Sequence, residues 1–129
     1  MSERSRIAQF HKGQIRLLRF SPSSNLIASI GIDEHNTMAI HDWRNNRLVT
    51  AAKVDFKLVL DIAWYSETTL VTVGPNHIKF WELKFNNLNS IQGLWGQDDA
   101  EPLLSVTTID QICITGSARG FMAIWGKTK

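Results

Sequence analysis

The chain has 129 residues, 43% of them hydrophobic and 20% charged, with a formal net charge of +2. That length suits one ordinary domain with its own core, and the balance excludes a disordered chain. No run of about eighteen apolar residues occurs, so no membrane-spanning helix is expected, and so small a net charge gives no reason to invoke nucleic acid.

Met1-Ser2-Glu3-Arg4 is not followed by an apolar stretch of the secretory type, and Cys113 is the single cysteine. Together these lead to the expectation of a reducing, cytoplasmic setting. Charge is uneven: residues 1–20 carry +4 and the remainder −2. A basic edge of this kind suits an acidic partner, and a solvated strand face explains it as simply.

Taken in chain order, the sequence predicts strands over residues 7–10, 15–20, 26–31 and 37–43, then 48–54, 58–64, 69–74 and 77–83, then 88–92, 103–108, 111–116 and 120–126. These runs are rich in Val, Ile, Thr, Phe and Trp and are bounded by Gly, Pro, Asn, Asp or Ser. Ser21-Pro22-Ser23-Ser24-Asn25 and Gly74-Pro75-Asn76 read as turns. No stretch sustains a helical spacing of 3.6. Several runs are apolar on successive residues, as strands buried on both faces require.

Three segments end alike: Met38-Ala39-Ile40-His41-Asp42-Trp43, Ile78-Lys79-Phe80-Trp81-Glu82-Leu83 and Met122-Ala123-Ile124-Trp125-Gly126-Lys127. Superposing His41, Trp81 and Trp125 gives spacings of 40 and 44 residues. Apolar runs upstream close on Gly31, Gly74 and Gly116, which are 43 and 42 apart, and Leu18, Ile62 and Val106 are 44 and 44 apart. A period of about 40–45 residues with four strands per unit marks a WD-repeat β-propeller. The expected fold is therefore all-β, with about three four-stranded antiparallel blades over residues 7–43, 48–83 and 88–126. His41, Asp42, Trp43, Trp81, Trp125, Gly31, Gly74 and Gly116 are its structural blade positions.

Propellers of this type pack the Trp, or its substitute, against the neighbouring blade, and can tie it to a buried His, a Ser or Thr, and an Asp. The resemblance offers His11, Ser29 and Asp33 in the first unit, where His41 replaces the indole. The other units show no clear His, so at most one partial network is expected. Three blades fall short of a closed ring, which leads to the expectation of a partial propeller, completed by the remaining blades of a longer chain or closed as a homo-oligomer.

At a finer level the chain resembles the echinoderm microtubule-associated protein-like family, the first propeller in particular. The carrying residues are Ser29-Ile30-Gly31-Ile32-Asp33-Glu34-His35-Asn36-Thr37-Met38 leading to Asp42-Trp43, then Thr72-Val73-Gly74-Pro75-Asn76-His77-Ile78-Lys79-Phe80-Trp81. Downstream are Gln92-Gly93-Leu94-Trp95-Gly96 and Thr115-Gly116-Ser117-Ala118-Arg119-Gly120. The resemblance covers roughly residues 15–126. It implies a protein that binds microtubules, tubulin or other cytoskeletal partners, with a cytoskeleton-associated location. Family members add tandem propellers and a coiled coil; residues 1–14 show no heptads.

Chemistry is sparse. Asp98, Asp99 and Glu101 cluster in a loop but read as a solvated turn, and no catalytic residue is assigned. His35, His41, His77 and Cys113 share no metal-ligand spacing, and Gly93-Leu94-Trp95-Gly96 lacks the Lys-Ser of a phosphate loop, so neither metal nor cofactor is expected. The expected role is a non-enzymatic protein-interaction scaffold, without nucleic acid or membrane. Arg44, Arg47 and Lys53 are candidate contacts for an acidic tubulin surface, and Trp95 is a candidate aromatic anchor. A generic WD-repeat adaptor of another complex is the alternative. An enzyme would need a polar channel, expected along residues 7–10, 48–54 and 88–92, and Gln9, Thr50, Lys53, Asn89 and Ser90 there hold no nucleophile–base pair.

Overall fold

In the computed structural model, which describes residues 1–55, 57–93 and 101–126, every strand pairs antiparallel with a neighbour in sequence. The first sheet is β1 (Ile15–Phe20), β2 (Leu26–Gly31), β3 (Thr37–Asp42) and β4 (Arg47–Lys53), in that order. The second is β5 (Asp61–Trp64), β6 (Thr69–Gly74), β7 (His77–Lys84) and β8 (Asn87–Gln92). The third holds β9 (Leu103–Ile109), β10 (Ile112–Ser117) and β11 (Met122–Gly126).

The hairpins follow from local chemistry. Asn36, Asn46, Asn76 and Asn86 all sit at positive φ, between 50° and 61°, where asparagine is tolerated because its amide bonds to nearby backbone. Gly74 and His77 close a two-residue turn, with Pro75 fixing the first φ and Asn76 supplying the left-handed second.

Register makes the three sheets superposable residue by residue. Ser29 lies between Leu18 and Ala39, Thr72 between Ile62 and Lys79, and Thr115 between Val106 and Ala123. Two residues earlier, Ile27, Leu70 and Cys113 oppose His41, Trp81 and Trp125, so the superposition on those three holds. Gly31 and Gly74 each stand two residues after the hydroxyl. Their counterpart in the third sheet is Ser117, and Gly116 falls one position short.

The sheets do not begin where the repeat does. Blades were expected over 7–43, 48–83 and 88–126, but pairing groups residues 15–53, 61–92 and 103–126. Residues 48–53 continue the first sheet beside β3, residues 88–92 continue the second beside β7, and residues 7–10 form no strand. Connector length decides this. Residues 43–46 are just enough for a hairpin, whereas residues 54–60 carry the chain across to the next sheet.

Two apolar layers hold the sheets together. Ala28, Ile30, Met38 and Ile40 of the first sheet pack with Val59, Ile62, Trp64, Leu70 and Trp81. Val71, Val73 and Ile78 pack with Leu103, Val106 and Cys113 of the third. β6 is thus buried on both faces, which accounts for its unbroken run of buried residues from Leu70 to Gly74. Each large side chain so buried contributes about 1.5–3 kcal/mol.

Candidate interaction surface

The buried hydroxyls at the shared register position organise polar contacts in every sheet. Trp81 donates its indole N–H to Thr72 Oγ1 at 3.0 Å, and Trp125 donates to Thr115 Oγ1 at 3.0 Å. In the first sheet, where His41 stands in place of the indole, Ser29 Oγ instead shares a 2.7 Å hydrogen bond with His11 Nε2. Gly31 makes room for that ring, since a Cβ there would overlap the imidazole.

Asp33 does not join this network as expected. Its carboxylate accepts from the backbone N–H groups of His35 and Thr37, capping its own turn. The second sheet, in which no histidine was foreseen, has the longer chain of contacts. Thr72 Oγ1 lies 3.4 Å from His77 Nε2, and His77 Nδ1 lies 3.8 Å from an Asp55 carboxylate oxygen. Asp55 is also 3.7 Å from Lys79 Nζ, which donates to the Val54 carbonyl. The signal missed was position: His11 precedes its sheet, whereas His77 opens β7, and each ring reaches the buried hydroxyl of its own sheet beside the equivalent glycine, Gly31 or Gly74.

Both rings favour the neutral state. Burial lowers His77 below the ordinary imidazole value, with Asp55 opposing and Lys79 reinforcing. Burial also lowers His11, with Asp33 opposing and His41 reinforcing, and burial lowers His41 itself.

Polar ties link the first strands of the sheets. Asp61 accepts from Arg19 Nη2 at 2.9 Å and, through its other oxygen, from the Val106 backbone N–H at 2.9 Å. Trp64 donates to the Arg19 carbonyl and Thr108 to the Trp64 carbonyl. These strands, β1, β5 and β9, line a cavity of about 300 Å³ together with Pro22. The channel expected along 7–10, 48–54 and 88–92 is therefore misplaced, because β4 and β8 are the last strands of their sheets. The lining includes Arg19, Trp64, Thr107 and Thr108 but no His, Cys or carboxylate that could serve as nucleophile or base. Among the described residues no three His, Cys, Asp or Glu side chains converge as metal ligands do, and no helix is long and apolar enough to cross a membrane.

The candidate contact residues are dispersed. Arg44 lies over the Trp43 ring, 4.7 Å from its centroid, and donates to Asn25 Oδ1 at 3.0 Å. Trp43 in turn donates to the Ser24 carbonyl at 2.7 Å. Arg47 sits 3.6 Å from Asp42, which also accepts from Asn45. Both arginines flank the β3–β4 hairpin within one sheet, not a connection between sheets. Lys53 is at the far end of β4, about 20 Å away at 3.3 Å per residue. Trp95, Asp98 and Asp99 lie outside the described residues.

Three antiparallel sheets stacked face to face, with one repeated register and a recurring Trp–hydroxyl bond, define blades of a WD-repeat β-propeller, a fold of protein-interaction scaffolds. Over most of its length the chain is similar to echinoderm microtubule-associated protein-like proteins. It is 30% identical over 112 residues to member 2 of Rattus norvegicus, covering 83% of this chain and 17% of that protein. Member 1 of Rattus norvegicus is 26% identical over 124 residues, 92% of this chain and 15% of its own. Member 4 of Mus musculus is 26% identical over 128 residues, 95% of this chain and 13% of its own. The chain thus spans about a sixth of the length of the curated relatives it matches. No family model matches. Among solved structures, a chain in the crystal structure of a mitotic checkpoint complex superposes with a TM-score of 0.72 at 13% identity, over 92% of this chain and 38% of that one. The computationally designed Ika4 protein superposes at 0.68 and 16% identity, over 90% of this chain and 69% of that one. These two likenesses concern the fold alone.

Proposed function

We propose that the chain supplies part of the docking platform of a microtubule-associated protein of the echinoderm microtubule-associated protein-like type. Its partner is tubulin or another cytoskeletal protein, its place is the cytoplasmic cytoskeleton, and its role is non-enzymatic. The observation that carries this reading is the similarity to three relatives so named, which extends over 83–95% of the chain. Arg44 and Arg47, solvent-exposed on one hairpin, are the contacts proposed for an acidic surface. Trp95 is kept as a proposed aromatic anchor.

Co-sedimentation of the purified chain with stabilised microtubules tests the proposal. The chain is expected in the pellet at low salt and progressively less of it as ionic strength rises. If it stays in the supernatant at every salt concentration while remaining folded, the microtubule reading is wrong and a general adaptor role replaces it.

A further inference from the structure

Among the described residues, seven other than glycine take a positive φ, and six of them are Asn, Asp or Ser, whose short polar side chains bond to nearby backbone. The seventh is Phe85, at 52°, followed by Asn86 at 61°. Lys84 pairs with Asn87 across β7 and β8, so Phe85 and Asn86 form a two-residue turn with both members left-handed, a turn that favours Asn-Gly. A phenyl ring supplies none of the local bonds that ease this backbone, so Phe85 holds its conformation at a cost.

Packing does not offset that cost. Phe85 is 87% exposed and joins neither apolar layer. It sits at a turn of the middle sheet, which has a neighbour on each face, so its exposure is not that of an uncovered sheet face. Asn46 and Asn86, forty residues apart and both left-handed, align this hairpin with the one in the first sheet. Asn45 then matches Phe85, and Arg44 matches Lys84. The aromatic of the first hairpin, Trp43, is half-buried and hydrogen-bonded, whereas that of the second stands at the tip.

The two tips also carry charge of one sign. Residues 43–47 and 83–87 hold Arg44, Arg47 and Lys84 and no acid. Lys84 Nζ lies 5.9 Å from the Phe85 ring centroid and, among the described residues, has no carboxylate partner. We propose that the β7–β8 hairpin is a docking point, at which the Phe85 ring enters an apolar pocket of a partner protein while acidic residues bordering that pocket face Lys84 and Arg44. This rests on the docking role proposed above and names the residue that anchors it. A buried aromatic ring carries a large share of an interface's energy, and flanking cations set orientation and partner choice.

Co-sedimentation with stabilised microtubules and with actin filaments, paired with thermal melts, tests the anchor. The native chain should pellet with at least one filament. Phe85→Asn should weaken that binding at least about tenfold. It should melt no lower than the native chain, because asparagine suits the left-handed turn. Phe85→Trp should retain binding, and Lys84→Glu should weaken it by a factor that shrinks as salt rises. A native chain that pellets with neither filament removes the docking role itself and the hairpin with it. Native binding that Phe85→Asn leaves intact overturns the hairpin alone. A Phe85→Asn melt well below the native one also overturns it, since the ring would then serve the fold.

Discussion

The indole N–H of Trp81 meets the hydroxyl of Thr72 across 3.0 Å, and both groups are buried, so each completes the hydrogen bonding of the other. Thr72→Val keeps the shape but strands the indole N–H and removes the partner of His77. It should cost about 1–3 kcal/mol, and Trp81→Phe a similar amount or more, measured by urea denaturation. The double variant should lose less than the sum, because both singles break one bond. Strict additivity would refute the pairing.

Acid should destabilise the protein in a defined window. His11 and His77 have folded values below the ordinary 6.5, mainly through burial, so the unfolded chain binds more protons as pH falls. Stability should be flat above about pH 7 and decline from the unfolded value of about 6.5 downward. Thermal melts between pH 8 and pH 5 measure this. His11→Asn and His77→Asn should each lower stability at neutral pH and flatten part of the acid slope; an unchanged slope in both would argue against the assignment.

Asp61 should matter more than its salt-bridge partner. Its side chain is mostly buried and accepts from two other sheets, whereas Arg19 is half exposed. Asp61→Ala leaves the Val106 N–H without its partner and should cost about 1.5–3 kcal/mol. Arg19→Ala should cost about 0–1 kcal/mol because solvent screens the pair. Equal losses on denaturation would show the ion pair, and not the backbone bond, to be the stronger tie.

Glycine substitutions should rank by what a methyl meets. At Gly31 it would overlap the buried His11 ring, itself held by Ser29, so Gly31→Ala should destabilise by about 1–3 kcal/mol. At Gly116 it would meet only Ser105 Oγ, at 2.7 Å, a small rotor able to turn away. Gly116→Ala should therefore be the milder change, and the ratio of the two melting shifts checks it.

Surface substitutions should separate binding from folding. Arg44→Ala/Arg47→Ala is expected to weaken microtubule co-sedimentation several-fold, with less than about 1 kcal/mol lost in stability. Lys53→Ala, about 20 Å along β4, should leave pelleting nearly unchanged. Unaltered pelleting of the Arg44→Ala/Arg47→Ala variant would remove both arginines from the contact.

Strand identity was legible because Val, Ile and Trp runs are punctuated by Asn, Pro and Gly, and the repeat was legible from Leu18, Ile62 and Val106. Phase was not, because a periodic string has no origin: residues 48–53 read equally well as the last strand of one sheet or the first of the next. The tight 43–46 hairpin was the available signal. The hydroxyls Ser29, Thr72 and Thr115 repeat at intervals of 43, but serine and threonine are common in strands, and their role shows only beside the indole. His77 escaped notice because a histidine after the turn, not before the sheet, had no counterpart in the first unit. Gly116 was aligned by its type, and pairing assigns that place to Ser117.

The offset between spelled repeat and hydrogen-bond ladder bears on how such a protein can be cut or copied. Excision at residue 44, where the written motif ends, would strip β4 from its partner and leave two raw edges; excision within residues 54–60 would release an intact leaf. A gene that duplicates by the written motif therefore always carries one borrowed strand, and each new copy is stitched to its neighbour by that loan.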